Sequence, residues 1–480
     1  MRRLVADACV IGSGAGGAPA AKELAEAGLR VVVLEEGEWQ DHRTFTARPR
    51  EMTARLYRDA GQLATVGTPP IMLPLGRAVG GTTVVNSGTC FRTPDRVLAR
   101  WRAEHGLEDL TPQALAPVFD RVEDTIGVAR VPADLAGGNA AVVRRGAEAL
   151  GVSGDFLLRN ARGCVGSGVC AFGCPSGAKQ HMGATYARLA VEAGAEVVTG
   201  ARVREVVVER GAVREAVADG VRVRAPLVVV AAGTLLTPGL LRRSGIRSPA
   251  LGRNLTIHPA SAARAVMDED VDPWRGVPQS YYVDELAEDG IMLEGIAGPP
   301  DQAAMATPGR GDLHRERMLA VRRTASFGVM VSDGATGSVR EVLGRPLVRY
   351  DLHPRDAERF RRGFELLARI FFAAGAREVL VPLGGVPPLR DGDTSPLRDR
   401  VVRPRDVQAM AFHPLGTARM GTDPARSVVG SDLQVHGVRG LHVADGSVVP
   451  TSPGVNPQVT IMALATRMAH ALAGGRLATA

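Results

Sequence analysis

Lysine is nearly missing from this chain. Of its 58 basic residues only Lys22 and Lys179 are lysines; the rest are arginines, set against 51 acids. The net charge of +7 therefore comes from arginine scattered among carboxylates, and aromatic residues amount to only 4%. Nucleic-acid binding needs clustered charge and stacking faces, so that class is excluded. Cysteine is scarce as well, and five residues, an odd number, argue against a secreted disulfide framework. No membrane span is read: residues 225–241 lack charge, but they are short for a span and carry Gly and Pro. Met1-Arg2-Arg3 resembles the start of a signal peptide, yet Asp7 and a glycine motif follow at once, and cleavage would remove that motif. A cytoplasmic chain with an intact N-terminus is expected.

What the chain has in plenty is glycine, 57 of 480 residues, beside 31 prolines and without a period. This balance excludes collagen, a coiled coil and disorder, and the length predicts two or three domains. Residues 4–11 read as one apolar strand broken only by Asp7. Gly12-Ser13-Gly14-Ala15-Gly16-Gly17 follows, then a helical run over 18–27 and a second strand over 31–34 ending in Glu35. Strand, G-x-G-x-x-G, helix, strand, acid is the dinucleotide fingerprint. Gly12 allows the tight turn, Gly14 lets a pyrophosphate approach the backbone, Gly17 lets helix and strand pack, and Glu35 suits a ribose 2′-hydroxyl. The motif alone does not choose between NAD and FAD.

A second glycine-rich stretch, LGRAVGGTTVVNSGTCFRTP, covers 75–94. Paired strands are predicted over 197–208 and 213–223, a buried strand over 227–232, another ending at Val443-Ala444-Asp445-Gly446, and a helix over 459–473. Nucleotide-binding elements thus lie at both ends of the chain. The expected division is a flavin-type domain over 1–250 plus 406–480, with a cap-like excursion at about 95–160, and an inserted domain over 251–405.

Taken in order, GSGAGG with LEEG, GRAVGGTTVVNSG, VVVAAGTLLTPGLL, GRNLTIHP, FHPLGTARMG and LHVADGSVVPTSPGVNPQVTIMALA resemble the glucose–methanol–choline (GMC) flavoprotein oxidoreductases over nearly the whole length. The resemblance implies an α/β fold: a Rossmann-like FAD-binding domain with an inserted substrate domain built on an antiparallel β-sheet. It implies FAD and oxidation of an alcohol by hydride transfer to flavin N5, with a small-molecule alcohol as partner and oxygen, a quinone or a carrier as acceptor. Gly12, Gly14, Gly17 and Glu35 would hold the ADP half. Gly80, Gly81, Thr82 and Asn86 would lie near the pyrophosphate and isoalloxazine, Val203 near adenine, and Asp445 and Gly446 near the ribityl chain. Some relatives bind flavin covalently through a His where this chain has Val85, so non-covalent FAD is implied. A non-redox FAD-containing lyase of the same fold and an NAD-dependent dehydrogenase are the alternatives.

Alcohol oxidation needs a base, a hydride acceptor and stabilisation of the developing alkoxide. Histidine titrates near neutrality, and among ten the resemblance selects His413, in Phe412-His413-Pro414, as the catalytic base. Asn456 would hydrogen-bond the substrate oxygen; it also reads as a helix N-cap. His258 reads as structural. Nine acids between Asp268 and Glu294, against Arg275 alone, reverse the local charge; a solvated acidic face is the preferred reading, and at the rim of an active site they would favour cationic alcohols such as amino sugars. Finally, Cys164, Cys170 and Cys174 form a C-x5-C-x3-C-P loop. A reduced structural loop is the preferred reading. A three-iron (3Fe-4S) cluster, as in the bacterial glucose dehydrogenases this spacing resembles, is the alternative. Zinc, with His181 as fourth ligand, and a Cys164–Cys170 disulfide rank below both.

Overall fold

The computed structural model describes residues 1–334 and 336–474; the last six residues of the expected flavin-type domain lie outside them. Five short strands, all parallel, form the first sheet in the order Leu441–Val443, Leu227–Val230, Ala8–Ile11, Val31–Leu34, Glu196–Val198. They are rich in Val, Ile and Leu because the sheet is buried between the helix Gly17–Glu26 and the strand Ala212–Ala218 of a separate sheet, which packs against Leu227–Val230. The helix Gly17–Glu26 packs on this sheet and against Tyr186–Glu192 and Gln458–Leu472.

The single strand expected over 4–11 is in fact two. Arg2–Val5 runs parallel to Val221–Arg224 at the edge of a separate four-stranded sheet, and Ala8–Ile11 enters the parallel sheet. The break is at Asp7, whose carboxylate takes the backbone N–H and the guanidinium of Arg30, pinning the chain where it changes sheets.

A second, largely antiparallel sheet has Leu389–Arg390, Glu378–Leu380, Pro259–Val266, Thr324–Val331, Ile291–Gly295, Tyr281–Val283 and Gly154–Phe156 in order, with Met410–Ala411 pairing beside Pro259–Val266. Period-two alternation divides its faces. Ala263, Ala265, Leu293 and Val329 point into a core closed by the helices Pro354–Ala373 and Gly138–Leu150. Ala262, Arg264, Glu294 and Gly328 line a cavity on the opposite face. The inserted sheet also draws in more chain than the sequence suggests. Gly154–Phe156 and the helix Gly138–Leu150 come from the stretch read as a cap-like excursion, yet the strand pairs with Tyr281–Val283 and the helix packs on Pro354–Ala373. Among the described residues no helix is long and apolar enough to cross a membrane.

Candidate active site

A cavity of about 1640 Å³ lies between the two sheets. The carboxyl ends of four parallel strands open into it: Gly12 after Ile11, Glu35 after Leu34, Ala231–Gly233 after Val230, and Asp445–Gly446 after Val443. This is where parallel α/β sheets place their ligands. Thr82 and Asn86 from the second glycine-rich stretch, Gly81 beside them, and Val203 line the same cavity.

The glycines divide by what a side chain would meet. A Cβ on Gly12 (φ +95°) would lie 2.3 Å from the Ala231 carbonyl, and one on Gly17 would lie 2.0 Å from the Gly12 carbonyl. Those two serve close packing of loop, strand and helix. At Gly14 the nearest atom is the Gly81 Cα at 4.0 Å. Its missing side chain leaves a bare wall that a Cβ would fill, and the uncapped start of the helix Gly17–Glu26 stands behind it. Bare backbone at a helix N-terminus is the surface a pyrophosphate needs. Gly80 (φ +104°) donates its N–H to the Ser13 hydroxyl at 3.0 Å, which locks the second glycine loop onto the first.

Glu35 does more than wait for a ribose. Its Oε2 accepts from the Ser13 N–H (2.9 Å) and hydroxyl (2.7 Å), and its Oε1 accepts from the Gly37 N–H (2.7 Å). Burial raises its pKa, and these donors oppose that shift. Asp445 is similar. It accepts from the Gly233 N–H and Thr237 hydroxyl on one oxygen and from the Ser447 N–H on the other. Asn86 donates to Gln458 Oε1 at 2.9 Å. Val85 is a buried core residue, with no nucleophile to offer a flavin.

His413 and Asn456 line the same cavity. The Asn456 Nδ2 lies 3.5 Å from His413 Nε2 and 3.4 Å from Glu294 Oε2. Pro457 caps the helix Gln458–Leu472, so Asn456 is not the N-cap its position suggests. The His258 ring meets His413 edge-on, with centroids 5.3 Å apart. Its Nε2 accepts from the Gly454 N–H at 2.9 Å, and Asp333 takes the backbone N–H groups of Ile257 and His258. His258 is thus held as a wall of the site, in a left-handed conformation (φ +48°). Burial pushes His413 down to about 4, which keeps its imidazole neutral, and pushes Glu294 up to about 7.

Sequence reasoning missed Ser13, Gln279, Glu294 and Gln458. Ser13 sits inside the fingerprint, where attention goes to the glycines. Glu294 was one of nine acids with nothing to set it apart. The structure places the others elsewhere: Asp268 pairs with Arg377, Glu269 with Arg145, Asp270 and Asp272 with Arg322, Glu288 with Arg96, and Asp289 with Arg362. Asp284 and Glu285 bond Ser153. The acidic run is a solvated, arginine-paired face, and of its members only Glu294 lines the cavity.

The three cysteines of the loop make separate contacts. The Cys170 sulfur takes the Arg159 guanidinium at 3.2 Å, Cys174 meets the Ser176 hydroxyl and the Lys179 N–H, and Cys164 packs against the core of the inserted domain. The five cysteines are free thiols, and among the described residues no three of His, Cys, Asp and Glu converge on a metal position. Lys179 organises the loop instead. Its buried ammonium donates to the carbonyls of Val84, Asn86 and Cys170 at 2.6–2.8 Å.

Two sequence models described as GMC oxidoreductase match residues 53–260 and 336–465, and one described as FAD binding domain matches residues 7–48. The chain belongs to the GMC oxidoreductase family. The NAD-dependent alternative falls with that match, and FAD is the cofactor of this GMC oxidoreductase. A GMC-type oxidoreductase of Mycobacterium tuberculosis is 44% identical over 97% of this chain and 75% of its own length. One of Sinorhizobium fredii is 37% identical over 98% and 95%. A long-chain-alcohol oxidase of Arabidopsis thaliana is 30% identical over 96% and 66%. In fold, the chain is similar to pyridoxine 4-oxidase from Mesorbium loti, with a TM-score of 0.76 at 22% identity over 97% and 98% of the two chains. A formate oxidase of Aspergillus oryzae gives 0.77 at 15% identity over 99% and 100%.

Proposed function

We propose that this GMC oxidoreductase oxidises the CH–OH group of an alcohol to a carbonyl, with His413 as the base and Asn456 holding the substrate oxygen. The observation that carries the reading is the pair itself: a neutral imidazole nitrogen and a side-chain amide 3.5 Å apart, in the cavity onto which the glycine loops open. Bound FAD supplies the hydride acceptor. His413 takes the hydroxyl proton at Nε2, the nitrogen that faces the amide. The depressed pKa leaves that nitrogen free to accept at neutral pH. Asn456 then orients the hydroxyl without competing for its proton. Gly14, Gly81, Thr82 and Asn86 would hold the dinucleotide, in a loop that Gly12, Gly17 and Gly80 shape by close packing; Glu35 and Val203 would serve its adenosine half, and Asp445 and Gly446 the ribityl chain.

The substrate we infer has an apolar body. Met72, Ile296, Met330, Met410 and Phe412 line the cavity, and eight of the nine acids that would have favoured an amino sugar lie outside it. The long-chain-alcohol oxidase relatives support this reading. The test is anaerobic flavin reduction by long-chain primary alcohols. The yellow colour is expected to bleach, and His413→Ala is expected to slow bleaching about a hundredfold or more with normal FAD content, the usual scale for a lost general base. Flavin that no alcohol reduces would point to the non-redox lyase; a His413→Ala enzyme at the normal rate would remove the base assignment.

A further inference from the structure

A buried imidazole that takes a proton becomes a buried cation, and an uncompensated buried charge is costly. His258, the neighbour of His413, cannot compensate it. The nearest acid in the hydrogen-bond network is Glu294, 5% exposed, on the strand Ile291–Gly295. Its Oε2 accepts from Gln279 Nε2 at 2.8 Å and lies 3.4 Å from Asn456 Nδ2; its Oε1 has no partner in the protein. One hydrogen of the Asn456 amide thus goes to Glu294, and the other, with Nδ2 at 3.5 Å from His413 Nε2, is left for the substrate oxygen beside the base.

We propose that Glu294 is a positioning residue for the base: it fixes the Asn456 amide so that it faces His413, and its carboxylate supplies the negative charge that balances the imidazolium. The inference rests on the assignment of His413 above. The alcohol proton passes to His413 Nε2; FAD, when bound, would accept the carbinol hydride and be reduced by two electrons, so that the carbinol becomes a carbonyl. The positive charge created on the ring is matched through Asn456 by the charge on Glu294. Glu294 is itself held from the flavin side. Asn86 donates to Gln458, Gln458 to the Thr89 carbonyl (2.7 Å), the Thr89 hydroxyl to Gln279 (2.7 Å), and Gln279 to Glu294. One chain of hydrogen bonds therefore runs from the second glycine loop to the base.

The groups packed around Glu294 are few. Tyr282 stands opposite it on one neighbouring strand and Gly328 on the other; Gln279 and Asn456 bond it; His413 and His258 lie beyond Asn456. Among the described residues no arginine or lysine pairs with it. Burial, opposed by the Asn456 bond, raises its pKa to about 7, so the charge appears as pH rises through neutrality.

The experiment is stopped-flow anaerobic flavin reduction at saturating alcohol, from about pH 5.5 to about pH 8.5. The wild-type rate is expected to climb with pH through an apparent pKa near 7. Glu294→Gln is expected to lose that limb and to run about tenfold slower or worse at the alkaline end, with FAD content unchanged. Glu294→Asp keeps the charge and should keep the limb. A Glu294→Gln enzyme that retains the limb, at whatever rate, overturns the proposal. If that variant does not hold FAD, Glu294→Asp decides, and a flat profile there overturns it. His413→Ala, run alongside, separates the two readings. A slow His413→Ala with an unaffected Glu294→Gln sinks only the role of Glu294; a fast His413→Ala sinks the base assignment on which it stands.

Discussion

Two histidines with almost the same motif, His258-Pro259 and His413-Pro414, end 5.3 Å apart with different work to do. What separates them is what each ring is left without. His258 Nε2 is spent on the Gly454 N–H, whereas the Nε2 of His413 has only a long contact with an amide. The same reasoning ranks the fingerprint glycines. Gly12 and Gly17 are bound by backbone atoms within 2.3 Å of an added Cβ, but Gly14 has ordinary φ and open space before it. Gly14→Val should therefore fold, and should purify colourless because its side chain occupies the pyrophosphate position. A normal far-UV circular dichroism spectrum with the visible flavin absorption lost is the expected pair of observations. Stoichiometric FAD in that variant would mean that the loop holds something else.

The helix Pro354–Ala373 shows how one element positions the site from behind. Its apolar face, with Phe360, Phe364, Leu367 and Phe371, packs on the sheet whose other face lines the cavity. Gly363 lets it approach: a Cβ there would lie 2.5 Å from Val329 Cγ1 and 3.0 Å from Ile291 Cγ2. Val329 and Ile291 belong to the strands that carry Gly328 and Glu294. Gly363→Val should cost about 1–3 kcal/mol by overpacking, read as a lower denaturant midpoint with unchanged slope. An unshifted midpoint would show that the helix gives way without cost. The cysteine loop is a similar case. Its shape follows from one buried ammonium, Lys179, bonding three carbonyls, one of them that of Asn86 in the flavin loop. Lysine is rare in this chain, and this one ties two loops 93–95 residues apart in sequence.

At the scale of the whole molecule, the parallel sheet and the inserted sheet meet at a cavity of a size and lining that suit FAD. Protein purified without oxygen should contain about one FAD per chain, and iron and acid-labile sulfide at background, with the loop thiols titratable. Stoichiometric iron would mean that Cys164, Cys170 and Cys174 converge in solution as they do not in the structure.

The sequence by itself determined four of the five parallel strands and the loops at their carboxyl ends; the fifth, Glu196–Val198, falls in a stretch read as one strand over 197–208, which the structure divides between two sheets. The four depend on local rules: a β-branched run, a glycine where φ is positive or a backbone must come close, an acid two strands of chain later. His413 and Asn456 were singled out by the family resemblance, through the motifs that hold them; that their side chains meet in one cavity is a fact of the tertiary structure. Tertiary structure alone decided the rest. Asp7 divided one apolar stretch between two sheets because Arg30 was there to bond it. The strand Gly154–Phe156 joined the inserted sheet through a partner more than a hundred residues away. Of nine acids in one run, eight found arginines or a serine at the surface, and the ninth, on the inward phase of a strand, was buried beside Asn456. Charge and side-chain type are written in the sequence; which face of a strand turns inward, and what waits there, is set by pairing between distant segments.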